Sequence, residues 1–185
     1  RCNARHQWRC LQYVTACLAK QKLTLSLMAL SIPFATVIKS KMLKTAVIHP
    51  TILEALGRSG HFAQVVIADG NLAVGAMAGP NSTTVHLNFR PGLLDALTVL
   101  EGIVAVCPIQ GATVMEKPGE ACAEIHDAYQ LLLGDVTWET MERWAFYDKI
   151  RDPATTLIIQ TGEQRRFANL ILTVGVVKMA EESRF

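Results

Sequence analysis

Five kinds of polar side chain sit in this sequence where a proton could be moved or a polyhydroxylated ligand held. His61 opens the stretch "GHFAQVVIADG" and Asp69 closes it. An imidazole gains and loses a proton near neutral pH, and a carboxylate accepts hydrogen bonds from paired hydroxyls. Each has a plainer reading, His61 as a surface-loop histidine and Asp69 as the first half of an Asp-Gly turn. In "RWAFYDK", Arg143 and Tyr147 offer a guanidinium and a phenol suited to a sugar or carboxylate. The same residues also fit an amphipathic helix that buries Trp144 and Phe146 and leaves Arg143 solvated. Asn169, after "TGEQRRFA", carries an amide that donates and accepts at once; otherwise it ends a turn. Arg165 and Arg166 read as solvated charges that could orient an interface.

Several other chemistries are excluded by spacing. The glycines at 70, 75 and 79 in "GNLAVGAMAG" match neither nucleotide-loop pattern. No G-x-S-x-G elbow and no H-E-x-x-H pair occurs. The five cysteines (Cys2, Cys10, Cys17, Cys107 and Cys122) include no C-x-x-C and no zinc-like pairing with histidine, so no metal is expected. They read as reduced thiols in a cytoplasmic protein. A net charge of +2 without a basic block gives no footprint for nucleic acid.

The elements that must position these residues follow from patterning. With 185 residues, half of them apolar, the chain can bury one ordinary core. Residues 1–41 differ from the remainder. Their apolar run "LTLSLMALSIPFATVI" is flanked by Lys20, Lys22, Lys39 and Lys41, is short for a membrane span, and is interrupted by Pro33. It reads as an extension dispensable to function, as a targeting segment, or as an extra packed helix. The working domain is placed at 42–185.

There, Pro50 opens a helix with an apolar stripe at Ile52, Leu53 and Leu56, and Gly60 is expected to cap it. "QVVIAD" (64–69), "TTVHLNF" (83–89), "TTLIIQTG" (155–162) and "NLILTVGVV" (169–177) read as strands. "GLLDALTVLEGI" (92–103), "ACAEIHDAYQLLL" (121–133) and "ETMERWAFYDKI" (139–150) read as helices. The alternation predicts a single-domain α/β layered fold, with a central, mostly parallel sheet flanked by helices.

The order of three stretches carries a resemblance. "MLKTAVIHPTILEALGRSGHFAQVVIADGN", then "RWAFYDKIRD", then "LIIQTGEQRRFANLILTVGVV" resemble the family of L-fucose mutarotase and D-ribose pyranase. Such proteins interconvert ring or anomeric forms of a free monosaccharide without metal or cofactor, and form ring-like homo-oligomers, typically decamers. The resemblance implies that His61 is the proton donor, with Asp69, Arg143, Phe167, Ala168 and Asn169 binding sugar and Tyr147 adding a phenol. Arg143 and "AFY" match the fucose branch better than the ribose branch. The alternatives are a D-ribose pyranase and a transport-associated sugar binder with little turnover. No membrane or nucleic-acid partner is implied.

Three positions depart from the family pattern: Ala63 for an aspartate, Asn71 for a histidine, and Phe167 for a tyrosine. A strand of some six residues also holds His61 and Asp69 too far apart to touch. If both serve one site, an oligomer or a returning loop must join the two ends.

Overall fold

The computed structural model describes residues 43–117 and 123–177. The expectations for 1–41 lie outside the described residues. Helix α1 (Pro50–Arg58) begins with proline at its first turn, and His49 caps it by accepting the Ile52 amide on Nδ1. Ser59, rather than Gly60, ends it: its hydroxyl donates to the Ala55 carbonyl at 2.9 Å, and its φ of −72° needs no left-handed residue.

Strand β1 (Gln64–Ala68) leads through the short helix α2 (Val74–Met77) to β2 (Thr83–His86). Helix α3 (Ala96–Val104) is capped by the Asp95 carboxylate, which accepts the Thr98 amide at 2.8 Å. Then follow β3 (Ile109–Met115), α4 (Ala123–Leu133), β4 (Thr137–Met141), α5 (Arg143–Ile150), β5 (Thr155–Gln160) and β6 (Leu170–Val174).

The six strands form one sheet in the order β2-β5-β1-β6-β3-β4. Strands β2, β5 and β1 run parallel, as do β3 and β4, and β6 runs antiparallel between β1 and β3. Both faces of β1 are covered. Val65 and Ile67 pack with α1, α3 and α4, through Ile52, Leu100, Ile103, Ile125 and Tyr129. Val66 and Ala68 pack on the other face with Val74, Phe146 and Ile150 of α2 and α5. An uninterrupted apolar run is the signature of such a doubly covered strand. The α/β layered architecture is therefore the one expected.

Two strands differ from the sequence reading. β3 was not expected, because Pro108, Gln110 and Gly111 break its apolar run. Residues 139–150 are not one helix: Thr137–Met141 pair with β3, and the helix starts at Arg143. Glu142 makes the boundary, since its carboxylate accepts the Trp144 amide at 2.7 Å. As an edge strand, β4 is mostly polar and exposed, which hides its period. Among the described residues, no helix is long and apolar enough to cross a membrane.

Candidate functional site

β5 and β6 flank β1 in opposite directions, so the segment joining them, residues 161–169, crosses the end of β1 where Asp69 emerges. That segment is held tightly. The Thr161 hydroxyl donates to the Ala68 carbonyl at 2.8 Å, and the Gly162 amide donates to the Leu94 carbonyl at 2.9 Å. A Cβ on Gly162 would collide with the Leu93 and Arg90 carbonyls, which explains glycine in "TGE". The next residue, Glu163, is only 4 % exposed. Its carboxylate accepts the Ala96 amide and chelates the Arg165 guanidinium, with a shortest contact of 2.6 Å. Burial alone would raise this carboxyl, but Arg165 and the backbone amides of Arg165 and Ala96 outweigh it and hold it at about 2.

At the end of the crossing, Asn169 meets Asp69. The Asp69 backbone N–H donates to Asn169 Oδ1 at 2.9 Å, and Asn169 Nδ2 donates back to Asp69 Oδ2 at 3.0 Å. Asp69 Oδ1 accepts the backbone amides of Asn71 and Leu72, at 3.0 and 2.9 Å. The Asp-Gly turn and the polar site are thus one structure. Burial pushes the Asp69 carboxyl above its usual range, against those amides, and nearby Glu163 adds to the upward push.

Asp69 and Asn169 open into a cavity of about 320 Å³ lined also by Asn71, Leu72, Met115, Arg143, Tyr147, Arg166 and Phe167. Its size falls at the small end of ligand pockets, which span about 300–1,000 Å³. It lies at the carboxyl ends of parallel strands, where α/β sheets commonly bind ligands. Helix α5 supplies Arg143 and Tyr147, and Phe146 anchors that helix in the core.

Phe167 forms one wall in an uncommon backbone conformation, with φ at 62°. Two side chains of α4 hold it from behind. His126 Nε2–H donates to the Phe167 carbonyl at 2.9 Å, and the Tyr129 hydroxyl donates to the Ala168 carbonyl at 2.7 Å. Burial lowers the His126 imidazole and raises the Tyr129 phenol, so both favour their neutral forms. Neither residue was singled out from sequence, although their i, i+3 spacing places them on one helix face.

The cavity thus brings together Asp69, Arg143, Tyr147, Phe167 and Asn169. It adds Arg166, which is exposed, as the sequence reading expected, and also lines the cavity beside the Phe167 ring. Ala168 contributes no wall: it is fully buried, with its carbonyl taken by Tyr129. Asn71 and Phe167, two of the departures from the family pattern, both line the cavity, whereas Ala63 is buried in the core.

His61 is elsewhere. It lies before β1, at the end opposite Asp69, exposed and 3.9 Å from the Phe62 ring. Its Nε2–H donates to Gln110 Oε1 at 2.9 Å. It borders a separate hollow with Cys107, Pro108 and Val174, and shares no lining residue with the Asp69 cavity. Five residues of strand at about 3.3 Å each separate the two ends.

Residues 42–177 match the model of the RbsD / FucU transport protein family. The chain belongs to this family. It is 29% identical to a D-ribose pyranase 2 of Streptomyces griseus over 136 residues, 73% of this chain and 98% of that protein. It is 30% identical to a fucose mutarotase of Bos taurus over 143 residues, covering 71% and 91% of the two chains. Its fold matches Bacillus subtilis RbsD complexed with D-ribose, with a TM-score of 0.66 and 21% identity, over 74% of this chain and all of that one. The resemblance read from the "GH", "AFY" and "TGE" stretches is to the same family.

Proposed function

We propose that the protein is a monosaccharide mutarotase that opens and recloses the ring of a free sugar. The observation that carries this reading is the paired Asp69–Asn169 unit facing a small polar cavity. An ionised carboxylate has about four acceptor positions. Three are occupied on Asp69, which leaves one on Oδ2 for a sugar hydroxyl, and the second Nδ2 hydrogen of Asn169 can serve another. Arg143 and Tyr147 fix further hydroxyls, Phe167 gives the ring an apolar face, and Ala168 acts only through its backbone.

Ring opening needs a proton delivered to the ring oxygen and one removed from the anomeric hydroxyl. Rotation about the freed carbonyl carbon and reclosure then give the other anomer. His61 is the proton donor in this reading. Because it stands at the far end of β1, a second copy of the chain must bring its own His61 to the cavity. This supports the ring-like homo-oligomer that the family resemblance implies. A positioned acid–base group of this kind is worth about 10²–10⁴-fold in rate. The working domain is residues 42–185, and the cytoplasm is its compartment.

L-Fucose is the preferred substrate, on the strength of Arg143 and Tyr147 in the "AFY" helix. D-Ribose is the second candidate, because a similar relative is named for it. Saturation-transfer NMR on the anomers of both sugars, with the intact chain and with His61→Ala, separates the possibilities. Accelerated exchange that the substitution abolishes supports the mutarotase. Sugar binding without acceleration, by the intact chain, would replace it with a transport-associated binding protein.

A further inference from the structure

Gln110 meets His61 because of an irregularity in the sheet. Where β3 pairs with β6, Ile109 lies opposite Val174 and Gly111 opposite Thr173, so Gln110 is the extra residue of a bulge. A bulge takes its extra residue out of the ladder and re-aims its side chain, and bulges cluster beside active sites. The neighbouring backbone fixes this one. The Gly175 amide donates to the Pro108 carbonyl at 2.8 Å, and a Cβ on Gly175 would stand 3.2 Å from the Gln110 Cβ. From the bulge, the half-buried Gln110 reaches the start of β1, where its Oε1 accepts from His61 Nε2–H at 2.9 Å.

Phe62 holds the same imidazole by its face, with ring centroids 3.9 Å apart and 31° between the planes. It does so from a left-handed backbone, with φ at 67° and its N–H donating to the Val174 carbonyl at 3.0 Å. A bulky residue at positive φ is strained, and Phe62 is also 63% exposed, so little apolar burial repays that strain. What the conformation provides is the contact with His61. The two contacts leave His61 Nδ1 without a hydrogen-bond partner among the described residues.

We propose that Gln110 is the positioning residue of the proton donor, that Phe62 supports it by covering one face of the ring, and that the proton passes through His61 Nδ1. The inference rests on reading His61 as the acid of a mutarotase. In that step the charged imidazole gives its Nδ1 proton to the sugar's ring oxygen. The bond from that oxygen to the anomeric carbon breaks, and its electron pair stays on the oxygen. The anomeric hydroxyl gives its proton to water and becomes the carbonyl. His61 is left neutral with its proton on Nε2, the tautomer from which Gln110 Oε1 accepts. Reclosure runs the same transfers backward.

The test separates geometry from turnover. Histidine labelled with 15N is read by solid-state NMR without sugar, at a pH where the imidazole is neutral, and His61 is assigned as the signal lost in His61→Ala. The intact chain should hold His61 in the Nε2–H tautomer, and Gln110→Leu should return the mixed population of an imidazole in water. Anomer exchange and sugar titration follow on the same proteins. Gln110→Leu should lower the maximal exchange rate about three- to tenfold, the worth of one hydrogen bond. Sugar affinity should not change, because Gln110 lies outside the Asp69 cavity. Gln110→Glu keeps an acceptor in place and should restore most of the rate. Phe62→Gly relieves the strained backbone, so its urea midpoint should stay close to the parent's while exchange slows. A mixed tautomer in the intact chain, a tautomer unmoved by Gln110→Leu, a Gln110→Leu rate equal to the parent's, or a loss of affinity matching the loss of rate would each overturn the proposal. An intact chain without exchange, whose fixed tautomer Gln110→Leu releases, would refute mutarotation and leave the positioning of His61 by Gln110 standing.

Discussion

Asn169 holds Asp69 at two points, accepting its backbone N–H and donating to its carboxylate, across 100 residues of sequence. The contact ties the end of β1 to the start of β6 and aims the carboxylate into the cavity. Asn169→Ala removes both bonds and leaves a buried N–H unpaired, at a cost of about 1–3 kcal/mol. Urea unfolding should record that loss, and sugar binding should disappear under conditions where the variant remains folded. A variant that binds sugar normally would show that the pair only closes a turn.

Glu163 and Asp69 should pull stability in opposite directions with pH. The Glu163 carboxyl, held at about 2 against an ordinary 4.5, stabilises the fold above its unfolded value, and this contribution is lost as pH falls toward 2. The Asp69 carboxyl is raised, so its contribution is present at low pH and is withdrawn as pH rises through its folded value. Glu163→Gln should therefore be less stable than the parent near neutral pH, with the gap narrowing in acid. Asp69→Asn should compare more favourably with the parent near neutrality than in acid. Denaturation at about pH 7 and about pH 3 gives both comparisons, and parallel curves would contradict them.

The support from α4 makes a separate prediction. Tyr129→Phe leaves the buried Ala168 carbonyl without its donor and should cost about 1–3 kcal/mol. His126→Ala frees the Phe167 carbonyl, so the left-handed backbone at Phe167 can relax. Sugar affinity should then fall further than stability alone accounts for, as measured by titration at a temperature where the variant is fully folded. Unchanged affinity would reduce both side chains to core packing.

Phe167→Tyr would place a hydroxyl beside Arg143 and Arg166 at the cavity wall. Each hydrogen bond it makes to sugar is worth about 0.5–1.5 kcal/mol, so affinity should rise several-fold in the same titration. No change would mean that the ring serves only as an apolar wall.

How legible each part was depended on whether its cause is local. β1 was readable because both its faces are buried, which leaves an unbroken apolar run. β4 was not, because an exposed edge strand keeps polar side chains and lies directly against the Glu142 cap. Asp69 and Asn169 were found through the order of motifs, whereas their mutual contact is a product of topology, with β6 returning beside β1. Arg166 is exposed, as its sequence suggested, but its place beside the Phe167 ring is set only by the folded crossing segment. The separation of His61 from Asp69 followed from strand geometry alone, and the structure keeps them at opposite ends.

That separation defines the central claim, a site shared between copies of the chain. His61→Ala and Asp69→Asn should each abolish accelerated anomer exchange when assayed alone. Mixed after dissociation and reassembly, the two variants should regain exchange, because a site can draw His61 from one copy and Asp69 from another. Random mixing in a symmetric ring restores about a quarter of the sites. Saturation-transfer NMR of the mixture, with L-fucose and with D-ribose, makes the measurement. Exchange recovered to roughly that fraction is the predicted result; a mixture as silent as its components, beside an active parent treated in the same way, would contradict the shared site.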